Sequence, residues 1–280
     1  MAIGLLAAVL AALAFGTASV MQAHAAAAHP VGDEPVAVGS TLAAMIHPVF
    51  LAGMALDALG FVATAVAART MPLFLSQPII SSNLVVTAVL AAVVLKVGLS
   101  RRDIGGIAVT VLALVVLGLT AGAEGHVDPG LAWRWGLLAA GVILTVGGAL
   151  AVRLGGRRVA VAAASSSGVL FGLMAVGVRV ADGVSPFDAT VLLTDPAAYA
   201  VLVCGPGGFY LFTVALQTGS VAAAAAAVAV GETVVPGAVG ALLLGDTTAP
   251  GWGPVTVIAF VAAVAGAVTV ARSEGVRAAA

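Results

Sequence analysis

The sequence predicts an all-α, polytopic helical membrane protein of about nine transmembrane helices with an inverted-topology internal repeat. Three observations lead there. Only 8% of the 280 residues are charged, against about a quarter in a soluble domain. Hydrophobic residues make up 62% and the mean hydropathy is +1.20. The apolar residues also fall into repeated blocks of roughly 20 to 28, the length that crosses a bilayer as a helix.

Nine spans are expected, at about 2–21, 41–68, 71–97, 104–120, 131–152, 159–180, 197–216, 220–244 and 253–271. The first block ends near Ala23-His24-Ala25, which resembles a signal-peptidase site. It lacks a basic n-region, so an uncleaved helix is expected, with cleavage as the alternative. A polar stretch from His29 to Ser40 follows. Arg69 and Thr70 make a very tight turn between the second and third spans, and Ser100-Arg101-Arg102-Asp103 leads into the fourth. A loop with Glu124, His126 and Asp128 precedes the fifth span, and a longer one from Asp182 to Asp195 precedes the seventh. No connection is long enough to fold as a soluble domain. The chain therefore reads as one membrane unit, with a first repeat over 1–122 and a second over 123–280.

The basic residues set the orientation. With the N-terminus outside, Lys96, Arg101, Arg102, Arg153, Arg157, Arg158, Arg272 and Arg277 are cytoplasmic, and only Arg69, Arg134 and Arg179 are outside. The expectation is a multi-pass protein of the cytoplasmic membrane, N-terminus out and C-terminus in. Cleavage of the first block would reverse every later span, which is a second argument against it.

Several classes are disfavoured. A net charge of −1 gives no attraction to nucleic acid. Cys204 is the only cysteine, which excludes an intrachain disulfide and cysteine-based metal clusters. There is no P-loop, H-E-x-x-H or G-x-S-x-G motif, so neither enzyme activity nor a cofactor is expected. His24, His29, Asp33 and Glu34 cluster around the first loop, in a spacing that matches no specific metal site.

Displacing the chain by 148 residues lays GFVATAVAART (60–70) on GFYLFTVALQT (208–218). In both halves a helix ends at a near-zero-length turn, and a long helix, a short polar loop and a Gly-containing helix follow. The second copy starts five spans after the first, so the two cross in opposite directions, a pattern found in many secondary transporters.

The stretch 60–119 resembles the second-to-fourth-span region of the drug/metabolite transporter (DMT) superfamily. It shares an apolar helix ending in an "ALR"-like turn, a Pro-containing helix, a short charged loop and a Gly-rich helix. Nine spans and the spacing of Pro72 and Pro78 look most like the branch that includes the NIPA-type magnesium transporters, beside the EamA-like members. The resemblance covers most of the chain and implies an EmrE-like fold. It also implies export or uptake of a small metabolite or amphiphile, or magnesium transport. The chain departs from ten-span members by lacking one helix in its first half, and has Ser-Arg-Arg-Asp where many have Gly-Glu-Arg.

Buried polar groups are the candidates for chemistry. A charge at the bilayer centre costs about 2.5–3.5 kcal/mol on insertion scales, so an intramembrane carboxyl is a functional candidate by default. Asp57 lies near the middle of the second span and Glu232 near the middle of the eighth; both are candidates for proton or cation coupling. The alternative is a carboxyl that stays protonated against a neighbouring helix. Pro236 removes the amide that would bond the Glu232 carbonyl, which adds a second oxygen acceptor at that depth. Gln77, Ser81, Asn83, Tyr210 and Thr233 are the candidate substrate contacts, with helix–helix hydrogen bonding as the alternative for the small polar ones. Pro78, Gly205, Pro206, Gly207 and Pro236 are candidate hinges, and Gly205-Pro206-Gly207-Gly208 predicts a kink or an unwound turn.

Arg69, Lys96 and Arg179 are expected to snorkel to the interface, with a substrate anion as the other partner for Arg69. His47 is a candidate proton relay or a plain hydrogen-bonded histidine. Gly168-x-x-x-Gly172 offers a small-residue packing face that would allow a homodimer. The functional expectation is a proton-coupled secondary transporter for a small organic metabolite or amphiphile. A magnesium or other divalent-cation transporter and a non-transporting membrane scaffold are the alternatives.

Overall fold

A computed structural model describes residues 1–27, 48–94, 96, 98–153, 157–184, 187–218 and 221–272. His29, Asp33, Glu34, His47 and Arg277 lie outside the described residues. The helices are α1 (Ala2–Ala27), α2 (Pro48–Thr70), α3 (Leu73–Ser81), α4 (Asn83–Val94), α5 (Arg101–Thr120), α6 (Leu131–Arg153), α7 (Arg157–Val180), α8 (Ala189–Thr194), α9 (Pro196–Thr218), α10 (Val221–Val239) and α11 (Gly253–Ala271). Among the described residues, nine helices are long and apolar enough to cross a membrane, with α3 and α4 forming one of them. They coincide with the nine expected spans, and the protein is a multi-pass helical membrane protein.

The distribution of side-chain size is the one expected in lipid. Large aliphatic residues point outward: Leu242 is 80% exposed and Leu119 78%. The interior is built largely from small residues, among them Ala8, Ala11, Ala67, Ala68, Ala88 and Ala200, all fully buried. Lipid solvates leucine as well as a protein core does, so helix association rests on close backbone approach through small side chains.

Glycines show how close that approach is. A Cβ on Gly231 would lie 2.7 Å from the Gly168 Cα, and one on Gly172 would lie 2.8 Å from the Gly231 carbonyl oxygen. The Gly168/Gly172 face is therefore packed on α10 within the chain and is not free for a second copy.

Span ends are set by local chemistry. Ser100 caps α5 by accepting the Asp103 amide at 3.3 Å, while Asp103 accepts the Ser100 amide at 2.8 Å, a reciprocal capping box. The third span breaks at Ser82, whose hydroxyl donates to the Ile79 carbonyl at 2.6 Å. The eighth span continues beyond Pro236 and ends in a π-turn, Gly240–Leu244, stopped by Gly245 at φ 79°. Only a glycine adopts that left-handed geometry without strain. The ninth begins at Gly253 with Pro254 in its first turn, where a missing amide loses nothing.

Packing partners follow a recurring scheme. The first span lies against the second and third, and the sixth against the seventh and eighth. Across the halves, the third span meets the eighth and the fourth meets the ninth. The fifth packs on the sixth and seventh. The stretch Gly205-Pro206-Gly207-Gly208 does not unwind: α9 is helical throughout. Its glycines receive neighbours instead, with Gly207 under the Thr145 side chain and Gly208 under Phe171. Neighbours on two sides, α6 at Gly207 and α7 at Gly208, thus approach the helix just after the proline.

Candidate functional site

A cavity of about 610 Å³ lies among the first, second, third, sixth, seventh and eighth spans. Both intramembrane carboxylates line it: Asp57 from α2 and Glu232 from α10. Gln77, Asn83, Gly205 and Pro206 line it as well. Its apolar wall is aromatic and soft, with Phe15, Phe61, Phe171, Phe209, Phe212 and Met174.

Glu232 is fixed by a neighbour on the third span. Ser81 Oγ donates to Glu232 Oε1 at 2.7 Å and lies 2.9 Å from Thr233 Oγ1. Thr233 in turn donates to the Ala229 carbonyl one turn back, at 2.6 Å. Ser81 and Thr233 are 2% exposed and stand behind the carboxylate rather than on the cavity wall. Asp57 is held from the first span, where Gln22 Nε2 donates to Asp57 Oδ2 at 2.6 Å. Each carboxylate therefore keeps one oxygen engaged by a partner on another helix.

Two buried polar groups on the same wall lack a partner. Gln77 is 4% exposed and its Nε2 has no hydrogen-bond partner, and Thr64 is 8% exposed with its Oγ1 unpaired. Unsatisfied buried groups are uncommon and call for an explanation, and both of these lie at the cavity wall.

Other expected residues lie elsewhere. Tyr210 is 47% exposed and does not line the cavity; its neighbour Phe209 does. Pro78, Gly207 and Pro236 are within their helices and off the cavity wall. Sequence reasoning passed over Gln22, Phe61, Thr64 and Phe212. The signal for three of them was helical spacing: Asp57, Phe61 and Thr64 recur at i, i+4, i+7, as do Gly205, Phe209 and Phe212, so each set shares one helix face.

One end of the bundle carries a polar network that no single span predicts. Arg69 Nη1 donates to the carbonyls of Val178 and Ala181 at 3.0 and 2.7 Å. Arg179 Nη1 donates to those of Ala68 and Met71 at 2.5 and 3.0 Å, and its Nη2 to the Gly125 carbonyl at 2.9 Å and to Asp246 at 3.2 Å. Asp246 also accepts the amides of Leu73 at 2.7 Å and Gly125 at 2.8 Å. Nearby, Arg134 pairs with Asp182, with Asp195 at 2.8 Å and with Asp128 at 3.1 Å. The segments after the fourth and eighth spans pair as an antiparallel bridge between Ala121 and Thr248. Arg69 and Arg179 thus do not snorkel outward as expected; they turn inward to helix-end carbonyls, which carry partial negative charge and lack intrahelical donors. Lys96, in contrast, is exposed. The Gly130 amide, and after it Arg134, hold the Asp128 carboxyl below the usual carboxylate range.

Compared with known proteins, the chain matches no family model, and no curated protein or solved structure shows significant similarity to it.

Proposed function

We propose that this chain is a secondary transporter that carries a small organic molecule across the cytoplasmic membrane by alternating access. Asp57 and Glu232 couple that movement to protons or another cation. The observation that carries the reading is the cavity of about 610 Å³ into which both intramembrane carboxylates face, together with the unpaired Gln77 Nε2. Ligand cavities are concave and largely apolar with a few convergent polar groups, and this one fits that description.

The packing scheme supports an inverted repeat of the drug/metabolite-transporter kind. First against second and third mirrors sixth against seventh and eighth. The pairs third–eighth and fourth–ninth meet across the halves, as a two-fold relation requires. The displacement of 148 residues pairs the same spans, and an offset of five spans inverts their direction. The site then sits at the repeat interface, where transporters of this architecture bind substrate. With the N-terminus outside, the network around Asp246 lies toward the outer face in this reading.

Coupling follows from desolvation. A carboxylate in a low-dielectric site that loses its cation must take up a proton or another cation. Glu232 and Asp57 are thereby exchange points rather than permanent charges.

The test is side-specific accessibility. In a Cys204→Ser background, Asn83→Cys is challenged with a membrane-impermeant maleimide added to either side. Alternating access expects water-borne labelling from both sides, while protection from both sides would favour a packed scaffold.

A further inference from the structure

We propose that the cavity takes small organic cations, amines with an apolar body, in preference to organic anions. This rests on the transporter reading and gives it a substrate class. The sign comes from the wall. Asp57 and Glu232 face the space, and no Lys, Arg or His lines it among the described residues. The basic groups that do enter the bundle, Arg69, Arg134 and Arg179, are gathered at one end of it, bound to carbonyls and aspartates. An anion in the cavity would meet two carboxyl groups and no counter-charge. An ammonium group would meet the carboxylates and a wall that carries the aromatic rings of Phe15, Phe61 and Phe171, side chains of the kind that attract organic cations.

The organic body follows from size and polarity. The space is far larger than a bare metal ion needs, and its wall is mostly apolar. The unpaired Gln77 Nε2, nearly fully buried beside it, is an independent sign of a ligand and gives an acceptor on that ligand a place to bond.

Thiol reagents of matched size and opposite charge read this directly. Asn83→Cys and Val201→Cys are made separately in Cys204→Ser. Each is reacted with 2-aminoethyl and 2-sulfonatoethyl methanethiosulfonate at about pH 8, where carboxyl groups ionise most fully. Rates are normalised to those of a free thiol in solution. Clefts lined by one sign of charge concentrate counter-ions by tenfold or more, so the ammonium reagent is expected to lead by about tenfold. That lead should collapse in Asp57→Asn with Glu232→Gln. Equal rates, a faster sulfonate, or a lead that survives the double variant would overturn the assignment and leave transport standing. Protection of both cysteines from both reagents would overturn the transporter reading itself. Two positions on different helices keep the test informative when one variant fails to fold.

Discussion

Arg69 and Arg179 cap each other's helices. Arg69, at the end of α2, donates to carbonyls at the end of α7, and Arg179, near the end of α7, donates to carbonyls at the end of α2. Two like charges are thereby brought together, which is tolerable because each meets helix-end carbonyls and Arg179 also meets Asp246. The exchange locks the second span to the sixth, and Asp246 adds the third span through the Leu73 amide.

The two arginines should differ in weight. Removing Arg179 leaves Asp246 buried without its cation, and breaking a buried pair from one side costs about 3–5 kcal/mol. Arg69 has no carboxylate within salt-bridge distance among the described residues, so its loss removes a helix-end interaction of up to about 2 kcal/mol. Arg179→Gln should therefore lower the thermal midpoint in detergent more than Arg69→Gln does. Equal effects would contradict the role given to Asp246.

Ser81 and Gln77 lie one turn apart and should respond with opposite signs. Ser81→Ala strips Glu232 of its donor and should destabilise the protein by about 1–2 kcal/mol. Gln77→Leu deletes a buried amide whose Nε2 is unpaired, so the ligand-free protein should keep its midpoint or gain slightly. Thermal unfolding of both variants decides it, and a large drop for Gln77→Leu would mean that the amide is bonded in the folded state.

Gly231 and Gly105 form a second contrasting pair. A Cβ at Gly231 meets backbone of Gly168 and Val169 at 2.7 Å, whereas one at Gly105 meets nothing within 4 Å. Gly231→Ala must separate α7 from α10 and should cost about 1–3 kcal/mol, as overpacking does. Gly105→Ala should be neutral or stabilising by up to about 1 kcal/mol through helix propensity. A midpoint for Gly231→Ala at or above that of Gly105→Ala would refute the close contact.

Asp128 carries a small pH dependence. Its carboxyl is held low in the folded protein, first by the Gly130 amide, so its stabilisation is present above the unfolded value near about 3.9. It is lost as pH falls through the lower folded value. The group is 69% exposed, so the effect should stay below about 1 kcal/mol after screening. Asp128→Asn should lower the midpoint slightly at neutral pH and not at all in strong acid. An undiminished difference in acid would show that charge is not the cause.

The candidate site was legible in part. Asp57, Glu232, Gln77 and Asn83 stand out in a sequence because polar groups in hydrocarbon are costly, and all four line one cavity. Tyr210 and Phe209 are adjacent aromatics that the sequence offers equally as cavity-lining, and only the rotation of α9 decides that Phe209 lines the cavity and Tyr210 does not. Gln22 went unremarked because it sits at the end of the first span, 35 residues from the carboxylate it serves.

The nine long apolar helices among the described residues, their approximate ends and the carboxylates within them are legible in the sequence. Those properties are local: bilayer thickness sets segment length, and each residue's cost in lipid is decided by its own chemistry. The tertiary structure alone decided the partners. Leu73 and Asp246 are 173 residues apart, and Ser81 and Glu232 are 151 apart. No periodicity within a helix encodes such pairs; they arise from which small-residue faces let two backbones approach. That is why Arg69 and Arg179, which look like interfacial anchors one helix at a time, become the joint between the second and sixth spans once the bundle is assembled.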